Sequence, residues 1–184
     1  MNLRLITFLF LILATLSHSK LTTLQQIDVK TFEKMREVER YQIKIAEKNF
    51  LKGTFKVALA EYEKFLTLYE KSPGAPYAQL MWSHTMMRLK KPKTALRDGF
   101  QSVIDYWPDS HEATIAAYCM GDAYRTMGEL KDAQKSFRFL ITEYPDHEIA
   151  IRARQDLLHY SRLHQDMDER LSLLNELTFK VERT

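Results

Sequence analysis

The sequence predicts an all-α protein, an α-solenoid of antiparallel helix pairs with a further helix at each end. Three segments share one order of small and aromatic residues, and only five glycines and five prolines interrupt the 184 residues. The hydrophobic share of 45% and the charged share of 28% are ordinary for a soluble globular protein. A chain of this length can bury a core without disulfides, and its one cysteine, Cys119, excludes an internal disulfide.

The three segments align at a small residue, a turn residue, an alanine and an aromatic position, with spacings of 7, 5 and 4 residues. The aligned residues are Ala46, Gly53, Ala58 and Tyr62 in the first, Ser83, Lys90, Ala95 and Gly99 in the second, and Gly121, Gly128, Ala133 and Phe137 in the third. The alanines are 37 and 38 residues apart, a period that indicates a helical repeat. We expect the small residue of each first helix to face the alanine of the second, so that the helices approach closely.

Turn residues separate the helices of each pair. Gly53 and Gly128 are predicted to end their helices in a left-handed C-cap, where glycine avoids a steric clash. Lys90 replaces this glycine in the second segment, so we expect an irregular turn there. The predicted pairs cover 38–52 with 54–71, 76–89 with 92–106, and 110–127 with 130–143, and single helices cover 22–36, 147–162 and 165–182.

This pattern resembles the tetratricopeptide (TPR) family. The third segment carries the fullest match, with Met120-Gly121, Tyr124, Gly128, Ala133, Phe137 and Pro145 at the family's offsets. The inter-repeat text, for example Tyr144-Pro145-Asp146, is similar to the bacterial envelope branch, which includes the TPR lipoprotein of the outer-membrane barrel-assembly machine and the Tol-Pal-associated TPR protein. The resemblance covers about residues 38–162 and implies a TPR-type solenoid that holds a protein partner.

Residues 1–19 have the composition of a signal peptide. Arg4 precedes an apolar run from Leu5 to Leu16, and Ser17 and Ser19 suit cleavage before Lys20. The run is 12 residues long, whereas a bilayer span needs about 20. A buried core helix and an uncleaved anchor are the alternatives. We expect an exported protein of the periplasm or cell envelope, soluble after cleavage and without a lipid anchor, since no cysteine follows the run.

The predicted organisation has four parts. A signal peptide covers 1–19, a leading helix 20–37, and the repeat domain 38–162, with about three repeats plus one extra helix. The C-terminal helix, 163–184, is amphipathic through Met167, Leu171, Leu174 and Leu177, and we expect it to cover the end of the stack. Partner binding is the alternative role for this helix.

Several kinds of chemistry are not indicated by the residues. The net charge is +3 without a basic block, which argues against nucleic-acid binding. No phosphate loop, serine elbow or paired carboxylate motif is present, so we expect neither an enzyme nor a cofactor. His111 and His147 lie beside acids in inter-repeat turns, where solvated caps are expected rather than a metal site. Cys119 is expected to be a small buried hydrophobe.

The TPR resemblance implies that the first helices line a groove for a protein or peptide segment. The residues predicted there are Phe50, Tyr77, His84, Met87, Arg88, Tyr118, Asp122 and Arg125, together with Ile43, Glu47, Leu51, Leu80 and Ile115. Aromatic residues and arginine often dominate binding energy. The alternative is that the aromatic residues pack between repeats, and that most methionines fill the core.

The predicted function is an exported scaffold that binds a protein partner in the cell envelope, in outer-membrane or envelope assembly. Association with a membrane-bound complex fits this function. The alternative is a periplasmic holdase that binds unfolded clients through an apolar, methionine-bearing groove.

Overall fold

The computed structural model describes residues 21–180, with side chains up to Phe179, and every regular element in this range is helical. The expected signal peptide lies outside the described residues. The helices are α1 (Val29–Lys34), α2 (Glu37–Leu51), α3 (Phe55–Leu68), α4 (Ala75–Arg88), α5 (Pro92–Thr94, continued by a π-helical stretch Ala95–Phe100 and by Gln101–Tyr106), α6 (His111–Thr126), α7 (Leu130–Glu143), α8 (Glu148–Leu163) and α9 (Met167–Asn175). A 3-10 turn, Thr23–Gln25, precedes α1, and a π-helical turn, Glu176–Lys180, extends α9. None of the helices described here has the length and hydropathy needed to cross a membrane.

The helices after α1 form four consecutive hairpins, α2–α3, α4–α5, α6–α7 and α8–α9. Each hairpin turns at one residue with positive φ: Gly53 at 77°, Lys90 at 60°, Gly128 at 79° and Gln165 at 58°. In each turn the next N–H bonds a carbonyl five residues back: Thr54 to Asn49, Lys91 to Met86, Glu129 to Tyr124 and Asp166 to Ser161. This is the Schellman pattern. The expectation of an irregular turn at Lys90 is therefore wrong, because this hydrogen bonding holds lysine in the left-handed conformation.

The irregularity of the second hairpin lies in its second helix. In the π-helical stretch the N–H of Gln101 bonds the carbonyl of Leu96, five residues back. Phe100 is only 1% exposed and supplies a buried ring one residue after the aligned Gly99. Gly99 lies so close to α4 that a Cβ there would be 2.4 Å from the Ser83 Oγ. One extra residue per turn thus accommodates both the close approach and the ring.

The contact that lets paired helices approach differs from the expected one. A Cβ on Gly121 would lie 2.4 Å from the Phe137 ring, so the nearest side chain is the aromatic residue of α7 and not Ala133. Phe137 and Ala133 are both 0% exposed, so both contribute to the core. The small residue of the first helix therefore makes room for the aromatic position of the second, which corrects the predicted small-to-small contact.

The C-terminal helices form a fourth hairpin with the same turn. Its buried Arg154 donates hydrogen bonds to Glu176 Oε2 at 3.1 Å and to the Pro145 carbonyl at 3.3 Å, which ties α8 to the end of α9. At the repeat spacing, the positions aligned with Gly121 and Ala133 are Leu158 and Arg170. The alignment of small residues missed this hairpin because it has none at those positions.

Candidate protein-binding groove

The first helices of the four hairpins, α2, α4, α6 and α8, are linked side by side by polar contacts. The Tyr77 hydroxyl on α4 donates to Glu47 Oε1 on α2 at 2.5 Å. Cys119 Sγ on α6 lies 3.8 Å from His84 Nε2 on α4. The Tyr118 hydroxyl on α6 donates to an Asp156 carboxylate oxygen on α8 at 2.9 Å. We call the surface that bears these residues the first-helix face.

Residues 21–28, here called the N-terminal segment, lie on the α2 and α4 part of the first-helix face. The Tyr77 hydroxyl oxygen also lies 2.9 Å from the main-chain carbonyl oxygen of Gln25, so its single proton is shared between this carbonyl and the Glu47 carboxylate. The His84 imidazole lies beside the backbone of Leu24. The side chains of Leu21, Leu24 and Ile27 are partly buried against the core. The chain therefore already binds one of its own irregular segments on this face.

The end of the N-terminal segment reaches towards α6. Asp28 caps α1 by accepting a 2.9 Å hydrogen bond from the Thr31 N–H. That hydrogen bond lowers the pKa of the Asp28 carboxyl against a smaller opposing effect of burial, and the nearby His111 lowers it further. His111 is the first residue of α6, so the segment extends from α4 to the start of the third hairpin.

Burial governs the electrostatics beneath this segment. It raises the pKa of Glu47, and the hydrogen bond from Tyr77 opposes that rise only in part. It also raises the pKa of the Tyr77 hydroxyl, whose proton is therefore retained for donation. It lowers the pKa of His84 to about 4. The neutral imidazole of His84 packs edge-to-face with Phe100 at 5.5 Å between ring centroids.

Two of the predicted groove residues are buried. Phe50 is 8% exposed and Tyr77 is 0% exposed, which corrects their expected place on the surface. Their neighbours Ile43, Leu80 and Ile115 are at most 1% exposed. Tyr77 lies beneath the N-terminal segment through its contact with Gln25, and the Phe50 ring packs on that of Phe55 on α3, with 5.6 Å between ring centroids. Their role in binding a partner stays a prediction.

Other predicted residues keep part of their surface. His84 and Met87 are half-buried, and Arg88 is exposed at the end of α4. The Arg88 guanidinium lies 4.9 Å from the centre of the Phe55 ring on α3. Arg88 therefore contacts the second helix of the preceding hairpin through a cation–π interaction.

Tyr118, Asp122, Arg125 and Asp156 form a cluster at the α6 and α8 part of the face, here called the Arg125 cluster. Arg125 NH1 lies 3.0 Å from Asp156 Oδ1, and its NH2 pairs with Asp122. The Arg125 side chain is 42% exposed. The Tyr118 ring packs 5.5 Å from that of Phe137, so Tyr118 is less exposed than expected. Tyr118 and Arg125 do project together, and both contact Asp156.

Sequence reasoning missed Asp156 and the pairing of two histidines. Asp156 lies on a helix outside the aligned segments, so no spacing indicated it.

His111 Nδ1 lies 3.0 Å from His147 Nε2, and the Ile149 N–H donates to His147 Nδ1 at 3.2 Å. That second bond makes His147 Nε2 the donor to His111. Within residues 21–180, no group of three or more histidine, cysteine or acidic side chains could hold a metal ion.

Cys119 is a buried residue, 7% exposed, in the interior between α4 and α6. Burial raises the pKa of its thiol, so the thiolate required of a nucleophile or a metal ligand is disfavoured. The position agrees with the predicted role as a small buried hydrophobe.

Solved structures identify the architecture. Two crystal structures of a putative kinesin light chain with nearly identical TPR-like repeats, from Podosopora anserina, are similar to this chain. One has a TM-score of 0.57 at 12% identity and covers 83% of this chain and 76% of that chain. The other has a TM-score of 0.56 at 13% identity, with 79% and 77% covered. The fold is TPR-like. This confirms the predicted all-α solenoid.

Other comparisons bear on the family. No family model matches the sequence, and no curated protein matches it. The similarity to the two crystal structures concerns the TPR-like fold, and the bacterial envelope branch stays a proposal.

Proposed function

We propose that this chain is an exported TPR-like scaffold that holds a segment of a partner protein on the first-helix face. The observation that carries the proposal is the hydrogen bond from Tyr77 to the Gln25 carbonyl, at 2.9 Å. A face that binds a main-chain carbonyl can hold a segment with little regard to its side chains at that point. Apolar positions on either side would then supply the selectivity.

The Arg125 cluster is the part of this face on which we place the partner's first contact. Arg125 is held between two carboxylates, so its planar guanidinium is oriented before a partner arrives. It also retains exposed area, at 42% of the side chain. Preorganised arginine beside an aromatic ring is the composition found at binding hot spots.

The cell envelope is the proposed location. The support is the sequence of residues 1–19, with its apolar run and small residues before Lys20. A role in outer-membrane assembly is the narrower form of this proposal. It rests on the resemblance of the inter-repeat turns to the bacterial envelope branch.

A holdase for unfolded clients is the second candidate function. Large apolar side chains are exposed on the last hairpin: Leu163 at 62%, Met167 at 57%, Leu171 at 60% and Phe179 at 79%. These are better placed for such a role than the methionines of α4, because Met81 and Met86 are 0% and 7% exposed. Exposed apolar surface of this kind marks a site for binding other proteins, and unfolded clients are the partners proposed for it here.

The test is crosslinking and affinity capture from cells that make the protein, read by mass spectrometry. The working variant combines Tyr118→Phe with Arg125→Gln, and Tyr118→Phe keeps the ring packed on Phe137. The matched control is Arg97→Gln on α5, where the arginine side chain is 80% exposed. We expect one partner to be captured reproducibly, and a loss of tenfold or more, about 1.4 kcal/mol, in the double variant only.

The same spectra report the N-terminus of the captured chain, and we expect it to begin at Lys20. A mixture of unfolded clients that is insensitive to the double variant would support the holdase instead. Unchanged capture of one partner by the folded double variant would place the binding surface elsewhere. A captured chain that begins at Met1 in the cytoplasm would contradict export.

A further inference from the structure

The N-terminal segment lies on the first-helix face in the manner of a bound ligand. Leu21, Leu24 and Ile27 are spaced three residues apart, and all three are partly buried against the core. Between them, the Gln25 carbonyl accepts the hydrogen bond of Tyr77. The intervening Thr22, Thr23 and Gln26 are exposed. One side of the segment contacts the protein and the other side faces solvent.

The segment is also separable from the residues that it covers. No residue between 21 and 34 is buried, whereas Tyr77, whose hydroxyl contacts the Gln25 carbonyl, is 0% exposed. Among the described residues, the first that is buried is Met35, at 2%, whose sulfur and methyl group lie against Gly74. Met35 and Arg36 are both extended, with ψ of 146° and 155°. Residues 21–34 can therefore move as a unit about the extended residues Met35 and Arg36, while the Met35 side chain stays in the core.

We propose that the N-terminal segment is a built-in occupant of the first-helix face, which a partner must displace. This inference rests on the proposed function and specifies the partner. The partner supplies a segment with apolar side chains at every third position and a free main-chain carbonyl for Tyr77. Because the occupant is tethered, its effective concentration is on the order of millimolar, and a free peptide competes poorly with it.

The test uses the full chain with Leu24→Ser and Ile27→Ser, which weaken the segment without removing it. The matched control changes two exposed positions, Thr23→Ser and Val29→Ser, where the native valine is 69% exposed. The probe is a fluorescently labelled synthetic peptide with the sequence of residues 21–28, followed by fluorescence anisotropy. We expect it to bind the weakened variant at least tenfold more tightly than the wild type or the control. A peptide with serine at both changed positions should not bind.

Circular dichroism and hydrogen exchange accompany the binding measurement. In the wild type, amides of residues 21–34 should exchange at least tenfold faster than those of α4, since the segment opens while the repeats stay folded. A weakened variant that unfolds would overturn the proposal, because the segment would then be part of the core. Equal peptide binding by the wild type and the folded variant, or none by either, would also overturn it. The proposal would also be overturned if the wild type formed a dimer and the weakened variant did not, because the segment would then bind a second copy of the chain.

The peptide-binding test and the partner-capture test have independent outcomes. A native partner captured through the Arg125 cluster, without peptide binding, contradicts the occupant alone. Peptide binding without a reproducible native partner contradicts the proposed scaffold.

Discussion

The second and third hairpins, α4–α5 and α6–α7, use the same turn and the same spacing but fill their interiors differently. In the third, Gly121 leaves room for the Phe137 ring. In the second, Ser83 approaches Gly99, and a π-helical stretch brings in the Phe100 ring one residue later. Close packing therefore constrains the combined volume of side chains across two helices rather than the residue at each position.

The same two hairpins also differ in what their first helices present. Tyr77 of α4 lies beneath the N-terminal segment and donates to the carbonyl of Gln25. Tyr118 of α6 instead donates to Asp156 of the next first helix, beside the exposed Arg125. Tyr77 thus contacts a main-chain segment as well as the Glu47 carboxylate, whereas the hydrogen-bond partner of Tyr118 is a carboxylate of the Arg125 cluster. The apolar half of the face is occupied, and the charged half retains exposed area.

The largest expected effect comes from filling the space at Gly121. The added methyl of Gly121→Ala would meet a ring that is 0% exposed and so has little room to move. We expect the free energy of unfolding to fall by about 3 kcal/mol, measured by urea denaturation. Ser83→Ala, at the aligned position of α4, should cost under about 1 kcal/mol, since it loses only a hydrogen bond to the Gln79 carbonyl. Equal losses would show that the two interiors are not filled differently.

Protonation of His84 should have a smaller effect on the free energy of unfolding. The aligned position of α6 is not a histidine. Burial lowers the pKa of His84 to about 4, while an unfolded histidine titrates near about 6.5. The unfolded state therefore binds the proton first as pH falls, and this contribution to stability is lost from about pH 6.5 down to pH 4. Glu47 and Glu112 act in the opposite sense, because burial raises their pKa.

The measurement compares the free energy of unfolding at pH 7 and pH 5 for the wild type and for His84→Gln. The variant should lose about 2 kcal/mol less than the wild type over this interval. His159→Gln, at an exposed position, is the control and should behave as the wild type. Parallel losses in the wild type and His84→Gln would show that His84 is not the group that titrates.

The smallest effect concerns the turns of the two hairpins. Lys90 has a φ of 60°, a conformation that a side chain disfavours and glycine accepts. Lys90→Gly should raise the free energy of unfolding by about 0.5–1 kcal/mol, read as a higher denaturation midpoint. Gly128→Ala should lower it by about 1 kcal/mol, and no heavy atom lies within 4 Å of the added carbon, so the effect isolates the backbone. A loss in both variants would mean that the lysine side chain stabilises its turn.

Local regularities were readable from the sequence. The spacing of small residues, turn residues and alanines predicted the first three helix pairs, and the structure confirms the helices with shifts of a few residues at their ends. The shared face of Tyr118 and Arg125 was also predictable, because seven residues are nearly two turns of one helix. Such features depend on neighbours along the chain, which a single period describes.

The spacing of residues along the chain predicts the first three helix pairs, their period and two of the four turns. Which surfaces those helices bury depends on the tertiary structure. Tyr77 meets Gln25 across 52 residues, Tyr118 meets Asp156 across 38, and His111 meets His147 across 36. A period identifies which side of one helix is apolar, but the side chain facing it depends on how successive hairpins stack and where the N-terminal segment lies. That is why Phe50 and Tyr77, expected at the surface, are in the interior.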